Sequence, residues 1–448
     1  MARRIVIIGA NAAGINAASA ARRLDREAQI TLIERDKYAV YSRCGLPFVI
    51  GGEIPSFEDL VLYPPDYYKM MKLDLRTETT ATRIDVKAKT VEILDNRTGR
   101  EETLQYDSLV LCTGANAWIP PIEGRDKRGV FMLRTIDDGR AISEAVKTAR
   151  DAVVIGAGAI GLEMAVALTE KGIKTTIVEL LPHVLPVSID ADIARIVQKH
   201  LEEHGVRIIT GKGVEAIVGD EQVRGVMVAG EEIKADIVIA ATGVRAEWTL
   251  AKEAEIALGR RGIKTDHRLK TSAEDVYAAG DCVENVHFIT KQPAVCQLGT
   301  AAVRMGKVAG INAAGGHTTF PGFLGSFVTK IFDLQVGATG LTERDAKRAG
   351  FDVVSGSIRG LTKAEYYPGG KEIRVKLVVD RDTHKVLGGQ VIGGEDVVGR
   401  VNFIALAIQN GMTVHDILKA DTCYAPPVAD VWEPTVQAAD VIKRRLPS

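Results

Sequence analysis

The stretch DAVVIGAGAIG, residues 151–161, decides the fold of this chain. Its short run of β-branched apolar residues predicts a strand buried in a parallel sheet. The G-x-G-x-x-G that follows is typical of the turn from a strand into a helix at a dinucleotide-binding site. The helix is predicted to end near Lys171, and the next strand, residues 175–178, is followed by Glu179. A carboxylate at this point accepts a ribose 2′-hydroxyl and repels a 2′-phosphate, so the sequence favours NADH over NADPH.

An incomplete copy of the same pattern lies near the N-terminus, in IVIIGANAAG, residues 5–14. Asn11 replaces the middle glycine, but an Ala-rich helix to about Leu24 and a strand over residues 30–33 follow in the expected order. Glu34 then stands where a carboxylate takes the ribose hydroxyls. The chain is therefore predicted to carry two dinucleotide-binding domains.

Shortly after Glu34 comes VYSRCGLPF, residues 40–48, which places Cys44 near the carboxyl end of the first predicted sheet. Gly45 and Pro47 indicate a tight turn into a helix. The positive end of that helix and the neighbouring Arg43 both favour the thiolate, which is the reactive form of cysteine. The other interpretation is a buried and inert thiol.

Composition excludes several classes of protein. The 448 residues are 46% hydrophobic and 26% charged, which is typical of a globular chain of several domains. A net charge of −1 argues against nucleic-acid and anionic-membrane partners. The five cysteines are widely spaced and form no C-x-x-C, which fits a reducing compartment and excludes a zinc ribbon or a disulfide framework. No metal site is expected. No stretch approaches the roughly 18 apolar residues of a membrane span, and a cytoplasmic protein is expected.

Three later strand ends carry small or polar residues. Predicted strands run into Thr113-Gly114 and into Thr242-Gly243, and a third ends at Gly280-Asp281. An Asp at such a position binds a ribityl hydroxyl or a phosphate-bound water, or else belongs to an ordinary turn. From Phe320 onward, strands recur and a helix over residues 398–410 follows, which predicts a separate α+β domain.

In this order the motifs resemble the flavin-dependent pyridine nucleotide–disulfide oxidoreductases over essentially the whole chain. The resemblance implies an α/β fold with two Rossmann-like dinucleotide-binding domains plus a C-terminal α+β dimerisation domain. Residues 1–116 and 246–319 would bind FAD, residues 117–245 would bind NAD(P)H, and residues 320–448 would form a homodimer.

Cys44 has no cysteine partner five positions away, and the chain contains Tyr-Tyr-Pro at 366–368 and Tyr-Ala-Pro-Pro at 424–427. This combination resembles the single-cysteine coenzyme A-disulfide reductases, which group with CoA-persulfide or polysulfide reductases and NADH oxidases. It implies that electrons pass from NADH, with NADPH left open, through FAD to Cys44, which reduces CoA disulfide, CoA persulfide or polysulfide. Two other functions remain open: an NADH oxidase that forms peroxide or water, and a flavoprotein redox sensor with little turnover.

The resemblance also implies individual site residues. The catalytic residues would be Cys44, Tyr367 and Tyr424. Tyr424 would act as a general acid, or else pack at the dimer interface. In the family a carboxylate matching Glu163 faces the nicotinamide; otherwise it is a helix-surface charge.

The remaining implied residues form three sets, and the active site would be shared between two subunits. The FAD set is Gly9, Ala13, Gly14, Glu34, Arg35, Ala81, Thr113, Gly114, Arg134, Gly280 and Asp281. The NAD set is Gly156, Gly158, Gly161, Glu163, Glu179 and Gly243. The substrate set, in which an arginine would bind CoA phosphate, is Asn16, Arg22, Arg23, Arg43 and Tyr366.

Overall fold

The computed structural model describes residues 2–447. The chain divides into two compact units. The first unit contains the residues up to Leu46, Ile54–Ala117 and Val244–Phe323. The second unit contains Pro47–Glu53, Trp118–Gly243 and the residues from Leu324 onward.

The α-helices lie in both units, and short 3-10 turns occur at Arg43–Gly45 and Glu58–Leu60. The helices are α1 (Ala12–Leu24), α2 (Leu46–Gly51), α3 (Pro65–Met70), α4 (Ile136–Val146), α5 (Ala159–Glu170), α6 (Ala191–Glu203), α7 (Thr249–Glu253), α8 (Gly299–Ala313), α9 (Glu343–Arg348), α10 (Val397–Gln409), α11 (Val414–Ile417) and α12 (Pro434–Lys443). None of the helices between residues 2 and 447 combines the length and the apolar character needed to cross a membrane.

The strands are β1 (Arg4–Ile8), β2 (Gln29–Ile33), β3 (Leu73–Arg76), β4 (Thr79–Asp85), β5 (Thr90–Asp95), β6 (Glu101–Gln105), β7 (Ser108–Leu111), β8 (Ala115–Ala117), β9 (Val130–Phe131), β10 (Asp151–Ile155), β11 (Lys174–Glu179), β12 (Arg207–Thr210), β13 (Val214–Val218), β14 (Gly225–Val228), β15 (Glu231–Lys234), β16 (Ile237–Ala240), β17 (Val244–Ala246), β18 (Ile263–Lys264), β19 (Val276–Ala278), β20 (Val283–Val286), β21 (Pro293–Ala294), β22 (Phe327–Ile331), β23 (Leu334–Gly340), β24 (Val353–Leu361), β25 (Glu372–Asp380) and β26 (Val386–Gly393).

The first unit is built on a parallel sheet with the strand order β19-β7-β1-β2-β3. Its central strands are apolar because helices cover both faces of such a sheet. Helices α1 and α8 pack so closely that a Cβ at Gly306 would lie 2.2 Å from the Ala13 carbonyl oxygen. A Cβ at Gly310 would lie 2.1 Å from the Ala17 oxygen. The small residues of both helices therefore permit their contact. Smaller sheets, β4-β5-β6, β8-β17 and β18-β20-β21, complete this unit.

The second unit contains a parallel sheet, β12-β11-β10-β16-β9, and an antiparallel sheet, β22-β23-β26-β25-β24. A small antiparallel sheet, β13-β14-β15, accompanies the parallel one, and α10 and α12 pack on the larger antiparallel sheet. Parallel strands bring their carboxyl ends to one edge, so in each unit the glycine-rich loop and the following glutamate lie at the same edge.

A buried lysine joins several elements of the second unit. The Lys376 side chain, on β25, is only 6% exposed. Its Nζ lies 3.0 Å from Asp190 Oδ2, 2.9 Å from Asp192 Oδ1 and 3.5 Å from Glu343 Oε2. Gln390 donates a further hydrogen bond of 2.6 Å to Asp190. This cluster connects β25 and β26 to the first residues of α6 and α9.

The predicted fold class is confirmed: two parallel nucleotide-type sheets precede an α+β segment near the C-terminus. The limits of the three predicted domains stay predictions. The strands that recur beyond Phe320 include β24, which runs from Val353 to Leu361. Its pairing with β25 along nine residues supplies backbone hydrogen bonds that periodicity alone does not reveal.

Candidate active site

The first glycine-rich loop needs its glycines for two separate reasons. Gly9 has a φ of +95°, and a Cβ there would lie 2.1 Å from the Cys112 carbonyl oxygen. A Cβ at Gly14 would lie 1.8 Å from the Gly9 oxygen, so Gly14 lets α1 approach β1. These are the turn and the helix–strand contact that a dinucleotide-binding loop requires.

Glu34, at the end of β2, closes this loop. It is 7% exposed, and its carboxylate accepts hydrogen bonds from the Ala10 N–H at 2.9 Å and the Asp36 N–H at 3.1 Å. Burial raises the pKa of Glu34, while these two hydrogen bonds oppose the rise. Because each carboxylate oxygen has two lone pairs, Glu34 retains acceptor capacity for ribose hydroxyls.

Asn11 connects the loop to the stretch that carries Cys44. Its side-chain oxygen accepts from the Ala12 N–H at 2.7 Å and caps α1, while its Nδ2 donates to the Tyr41 carbonyl oxygen at 3.2 Å. A glycine at this position could make neither hydrogen bond. The residue that weakened the sequence motif therefore positions the segment that leads to Cys44.

Cys44 is exposed and lies in the 3-10 turn directly before α2. Gly45 is needed because a Cβ there would lie 2.4 Å from the Leu60 side chain. Pro47 occupies the first turn of α2, where its missing N–H has no helical partner. The thiol thus stands at the positive end of a helix, as predicted, although α2 has only six residues.

Arg43 is held beside Cys44 by two contacts. Its guanidinium lies 3.7 Å from Asp36 Oδ2 and 5.3 Å from the centre of the Tyr41 ring. The side chain remains 25% exposed. Arg43 therefore brings positive charge to the turn while its own position is restrained.

The other cysteines differ from Cys44 in their surroundings. Cys423 is exposed, whereas Cys112, Cys282 and Cys296 are buried. Burial raises the pKa of each of these three thiols, to about 11 for Cys296. We call Cys112, Cys282 and Cys296 the three buried cysteines; their thiols stay protonated near neutral pH and are poor nucleophiles.

The strand ends of the first unit meet around the same loop. Thr113 Oγ1 donates to the Glu247 carbonyl oxygen, and Gly114 has a φ of +75°. Gly280 has a φ of +89°, and a Cβ there would lie 2.9 Å from the Ala13 Cβ. Asp281 follows Gly280 directly. Cys112, which precedes Thr113, therefore lies against Gly9 in the first loop, and Gly280 lies against Ala13 in the first turn of α1.

Three other predicted FAD residues lie elsewhere in the chain. Arg35 donates a 3.1 Å hydrogen bond to Asn116, and Ala81 is buried on β4. Arg134 belongs to the second unit, where its backbone N–H donates to Asp138 at the start of α4. Their role at an FAD site stays a prediction.

The second glycine-rich loop has the complete arrangement. Gly156 has a φ of +104°, and a Cβ at Gly161 would lie 2.1 Å from the Gly156 oxygen. A Cβ at Gly158, by contrast, would meet no atom within 4 Å, and the same holds at Gly243, which has a φ of +98°. Gly158 is therefore not required by packing; it leaves the loop backbone open to a ligand.

Glu179 repeats the arrangement of Glu34. It is 8% exposed and accepts hydrogen bonds from the Ala157 N–H at 2.7 Å and the Leu181 N–H at 2.8 Å. His183, the next polar side chain, hydrogen-bonds the Val184 carbonyl oxygen at 2.9 Å. The Glu179 carboxyl group is therefore held by two backbone N–H groups at the carboxyl end of β11.

Glu163, on α5, is mostly buried and accepts a hydrogen bond of 2.7 Å from Thr329 on β22. Burial raises its pKa, and the hydrogen bond from Thr329 opposes the rise. The carboxylate faces a cavity lined by α2, α5 and β22 residues, namely Pro47, Phe48, Gly51, Glu53, Glu163, Val166, Ala167, Glu170, Lys330 and Phe332. Glu163 is therefore not a plain surface charge, and the helix that follows Cys44 forms part of the same cavity.

The tyrosines near the C-terminus are exposed, and two of them meet. The Tyr366 and Tyr424 hydroxyl oxygens are 2.7 Å apart. This hydrogen bond raises the pKa of Tyr424. Tyr367, which follows Tyr366 directly in the sequence, is 38% exposed. The predicted catalytic Tyr424 and the predicted substrate residue Tyr366 are thus neighbours within one chain.

The two adjacent arginines of α1 have different surroundings. Arg22 donates to the carbonyl oxygens of Met71 at 3.0 Å and Lys72 at 2.7 Å, and also to those of Asp25 and Arg26. Arg23 is exposed, and its guanidinium makes no hydrogen bond or ion pair within residues 2–447. Asn16 donates to the Ala12 carbonyl oxygen at 2.9 Å. Arg22 therefore connects α1 to the α3–β3 turn, while Arg23 remains available to a ligand.

Both loops fit the nucleotide cofactors that the motifs imply. Each joins a glycine with positive φ to a helix N-terminus, and each lies beside a buried carboxylate with acceptor capacity. The first loop would hold FAD through the residues around Gly9 and Glu34. The second would hold NAD(P)H through those around Gly158 and Glu179.

Sequence reasoning missed the contact of Asn11 and the hydrogen bond from Thr329 to Glu163. The signal for Asn11 was available, since an N-cap asparagine satisfies a helix N–H that glycine cannot. No sequence signal marks Thr329, which lies 166 residues from Glu163.

Models of one protein family match most of the chain. Residues 3–306 match the pyridine nucleotide-disulphide oxidoreductases, and residues 327–436 match the dimerisation domain of that family. An NADH oxidase of Methanocaldococcus jannaschii is 44% identical over 446 residues, covering 99% of both chains. A CoA-dependent NAD(P)H sulfur oxidoreductase of Pyrococcus furiosus is 40% identical over 445 residues, covering 98% of this chain and 99% of the relative.

A solved structure is similar over the same length. An NAD-dependent persulfide reductase from A. fulgidus has a TM-score of 0.95 and 38% identity, covering 99% of this chain and 83% of that chain. The resemblance predicted from the motifs is thereby confirmed. This chain belongs to the pyridine nucleotide-disulphide oxidoreductases, and it is an FAD- and NAD(P)H-dependent oxidoreductase that carries the dimerisation domain of that family.

Proposed function

We propose that this enzyme uses electrons from NAD(P)H to reduce coenzyme A disulfide, CoA persulfide or polysulfide at Cys44. The observation that carries the proposal is the exposed Cys44 in the turn before α2, connected through Tyr41 and Asn11 to the first dinucleotide loop. Relatives named as a CoA-dependent sulfur oxidoreductase and a persulfide reductase support the substrate class.

In this proposal the Cys44 thiolate is the nucleophile. It attacks one sulfur of the substrate S–S bond, which breaks as the new Cys44–S bond forms, and the other sulfur leaves as a thiolate that takes up a proton. The positive N-terminal end of α2 and the charge of Arg43 stabilise the thiolate before attack. FAD, held by the residues around Gly9 and Glu34, would supply the two electrons from NAD(P)H that, with two protons, break the new Cys44–S bond and release the Cys44 thiol and the second thiol.

Tyr424 is the proposed proton donor to the leaving thiolate. Its hydroxyl is hydrogen-bonded to Tyr366 and its pKa is raised, so the phenol stays protonated near neutral pH. The dimerisation domain supports a homodimer, in which these exposed tyrosines would complete the site of the other subunit. A cytoplasmic location and the absence of nucleic-acid and membrane partners remain predictions.

Arg23 is the proposed contact for the CoA phosphates. Arg22 was predicted to share this role, but its donors already serve four backbone carbonyls. Arg23→Ala should therefore raise KM for CoA disulfide while kcat changes little, because a phosphate contact remote from the sulfur binds substrate and transition state alike. Arg22→Ala should instead lower thermal stability.

The decisive test replaces Cys44. Cys44→Ser should keep FAD bound and lose nearly all reduction of CoA disulfide and persulfide. Cys423→Ser is the matched control, since it removes the other exposed thiol and should leave the rate unchanged. A Cys44→Ser enzyme that reduces CoA disulfide at the wild-type rate would remove the mechanism.

The second candidate function is oxygen reduction, favoured by the 44% identity to the M. jannaschii NADH oxidase. Oxygen uptake with NADH, measured with and without CoA disulfide, separates the two. An enzyme that consumes oxygen quickly and ignores CoA disulfide is an oxidase. In that case Arg23→Ala should have no effect on turnover.

A further inference from the structure

Two histidines and an aspartate converge in the second unit, on elements that the proposed reaction does not use. His200 and His204 lie one turn apart at the C-terminal end of α6, so their side chains share a face. Asp333 lies in the turn between β22 and β23. One ligand atom from each of the three residues lies within 4.8 Å of the other two.

A backbone contact orients the His204 imidazole. His204 Nδ1 lies 2.8 Å from the His200 carbonyl oxygen. A carbonyl only accepts, so Nδ1 carries a proton, and in the neutral imidazole Nε2 of His204 has the lone pair that a metal ion binds. A histidine that binds a metal through one ring nitrogen usually donates the N–H of the other to such an acceptor. This hydrogen bond sets the tautomer and the orientation of the ring.

His200 and Asp333 add a second observation. His200 Nε2 lies 2.9 Å from Asp333 Oδ1, yet this buried nitrogen makes no aligned hydrogen bond within residues 2–447. Ligand atoms held tetrahedrally at about 2.1 Å from a zinc ion stand roughly 3.4 Å apart. The three ligand atoms, 2.9 Å apart for the His200–Asp333 pair and within 4.8 Å overall, lie on both sides of this separation, so the cluster is compact enough to share one cation.

The turn that carries Asp333 is held in place by the same helix. The Phe332 ring stacks on His204 with centroids 4.2 Å apart and an angle of 12°. Phe332 has a φ of +54°, a backbone conformation that bulky residues rarely adopt. The stack thus restrains a turn that presents the carboxylate toward the two imidazoles.

We propose that His200, His204 and Asp333 bind one divalent transition-metal ion, of the class to which zinc belongs, with water in the remaining position. Two imidazoles and one carboxylate are a ligand set that suits such ions. The ion would clamp the β22–β23 turn to α6, and since Phe332 also lines the cavity beside Glu163, it would hold one wall of that cavity. This inference does not depend on the proposed substrate, and it differs from the expectation of no metal site.

The test is a Zn²⁺ titration of chelator-treated, FAD-loaded enzyme, in which binding is measured by isothermal titration calorimetry. Wild type should bind one Zn²⁺ per chain more than His204→Gln or Asp333→Asn. If a weakened site persists in either variant, its affinity for Zn²⁺ should be at least about 10–100-fold lower than that of wild type. Loss of a residue that only hydrogen-bonds a metal ligand already has an effect of this size, and these variants lose a ligand itself. Asp333 is 81% exposed, so its substitution does not act through misfolding.

His267→Gln is the matched control, because His267 is exposed and lies in the other unit. It should bind as wild type does. The cysteines are the same in all four proteins, so any Zn²⁺ that thiols take up cancels in the comparison. Equal binding by all four proteins, or no binding by wild type, would overturn the proposal and leave His200 and Asp333 as an ordinary ion pair.

Discussion

Replacing Lys376 by Met should destabilise the second unit strongly, because it leaves three carboxylates without their shared cation. Met keeps most of the length of the side chain and removes the ammonium group, with its charge and its hydrogen-bond donors. Removing one partner of a buried ion pair costs about 3–5 kcal/mol. Asp190 is 10% exposed and bears the full effect, whereas Asp192 at 42% and Glu343 at 29% regain water. The lower end, about 3 kcal/mol, is therefore expected.

Urea unfolding of the Lys376→Met protein measures this loss. With a slope of about 2 kcal/mol/M, the midpoint should fall by roughly 1.5 M. A protein of this size need not unfold in one step, so the midpoints of the same transition are compared. Lys347→Met is the matched control, because Lys347 contacts the same Glu343 at 2.7 Å from a side chain that is 58% exposed. Such a surface pair contributes about 0–1 kcal/mol.

Two outcomes would refute the reasoning. If Lys376→Met and Lys347→Met shift the midpoint equally, burial does not govern the strength of this cluster. If Asp190→Asn fails to recover any stability in the Lys376→Met background, the loss does not come from an uncompensated carboxylate.

Three further predictions follow from the site and its surroundings. Glu179 should make kcat/KM higher for NADH than for NADPH, and equal values would contradict its role. In fully reduced protein, iodoacetamide near neutral pH should label Cys44 and Cys423 quickly and spare the three buried cysteines, as mass spectrometry can establish. Hydrogen bonds from Lys347 and Ser355, together with the charge of Lys376, lower the pKa of Glu343 to about 2 from 4.5. The stabilising effect of the Glu343 carboxylate is therefore present above about pH 4.5 and is lost as the pH falls toward 2, so wild type should lose more stability across this window than Glu343→Gln.

The local parts of the fold could be predicted from the sequence because they depend on neighbouring residues. A buried parallel strand, a glycine with positive φ and the start of a helix are each encoded within about ten residues. The two loops at Gly9 and Gly156, the carboxylates at Glu34 and Glu179 and the helix start after Cys44 lie where their patterns predicted. Composition and motif order were sufficient for the family.

Only the tertiary structure decided which distant side chains meet. Tyr366 and Tyr424 are 58 residues apart in sequence, and their contact depends on how the chain packs after β24. The carbonyl partners of Arg22 come from the turn before β3, so charge alone could not distinguish it from Arg23. The register of β25 likewise buries Lys376 among carboxylates that precede it by more than thirty residues. Periodicity in the sequence specifies which face of an element is buried, whereas the partner on that face is set by the packing of whole elements.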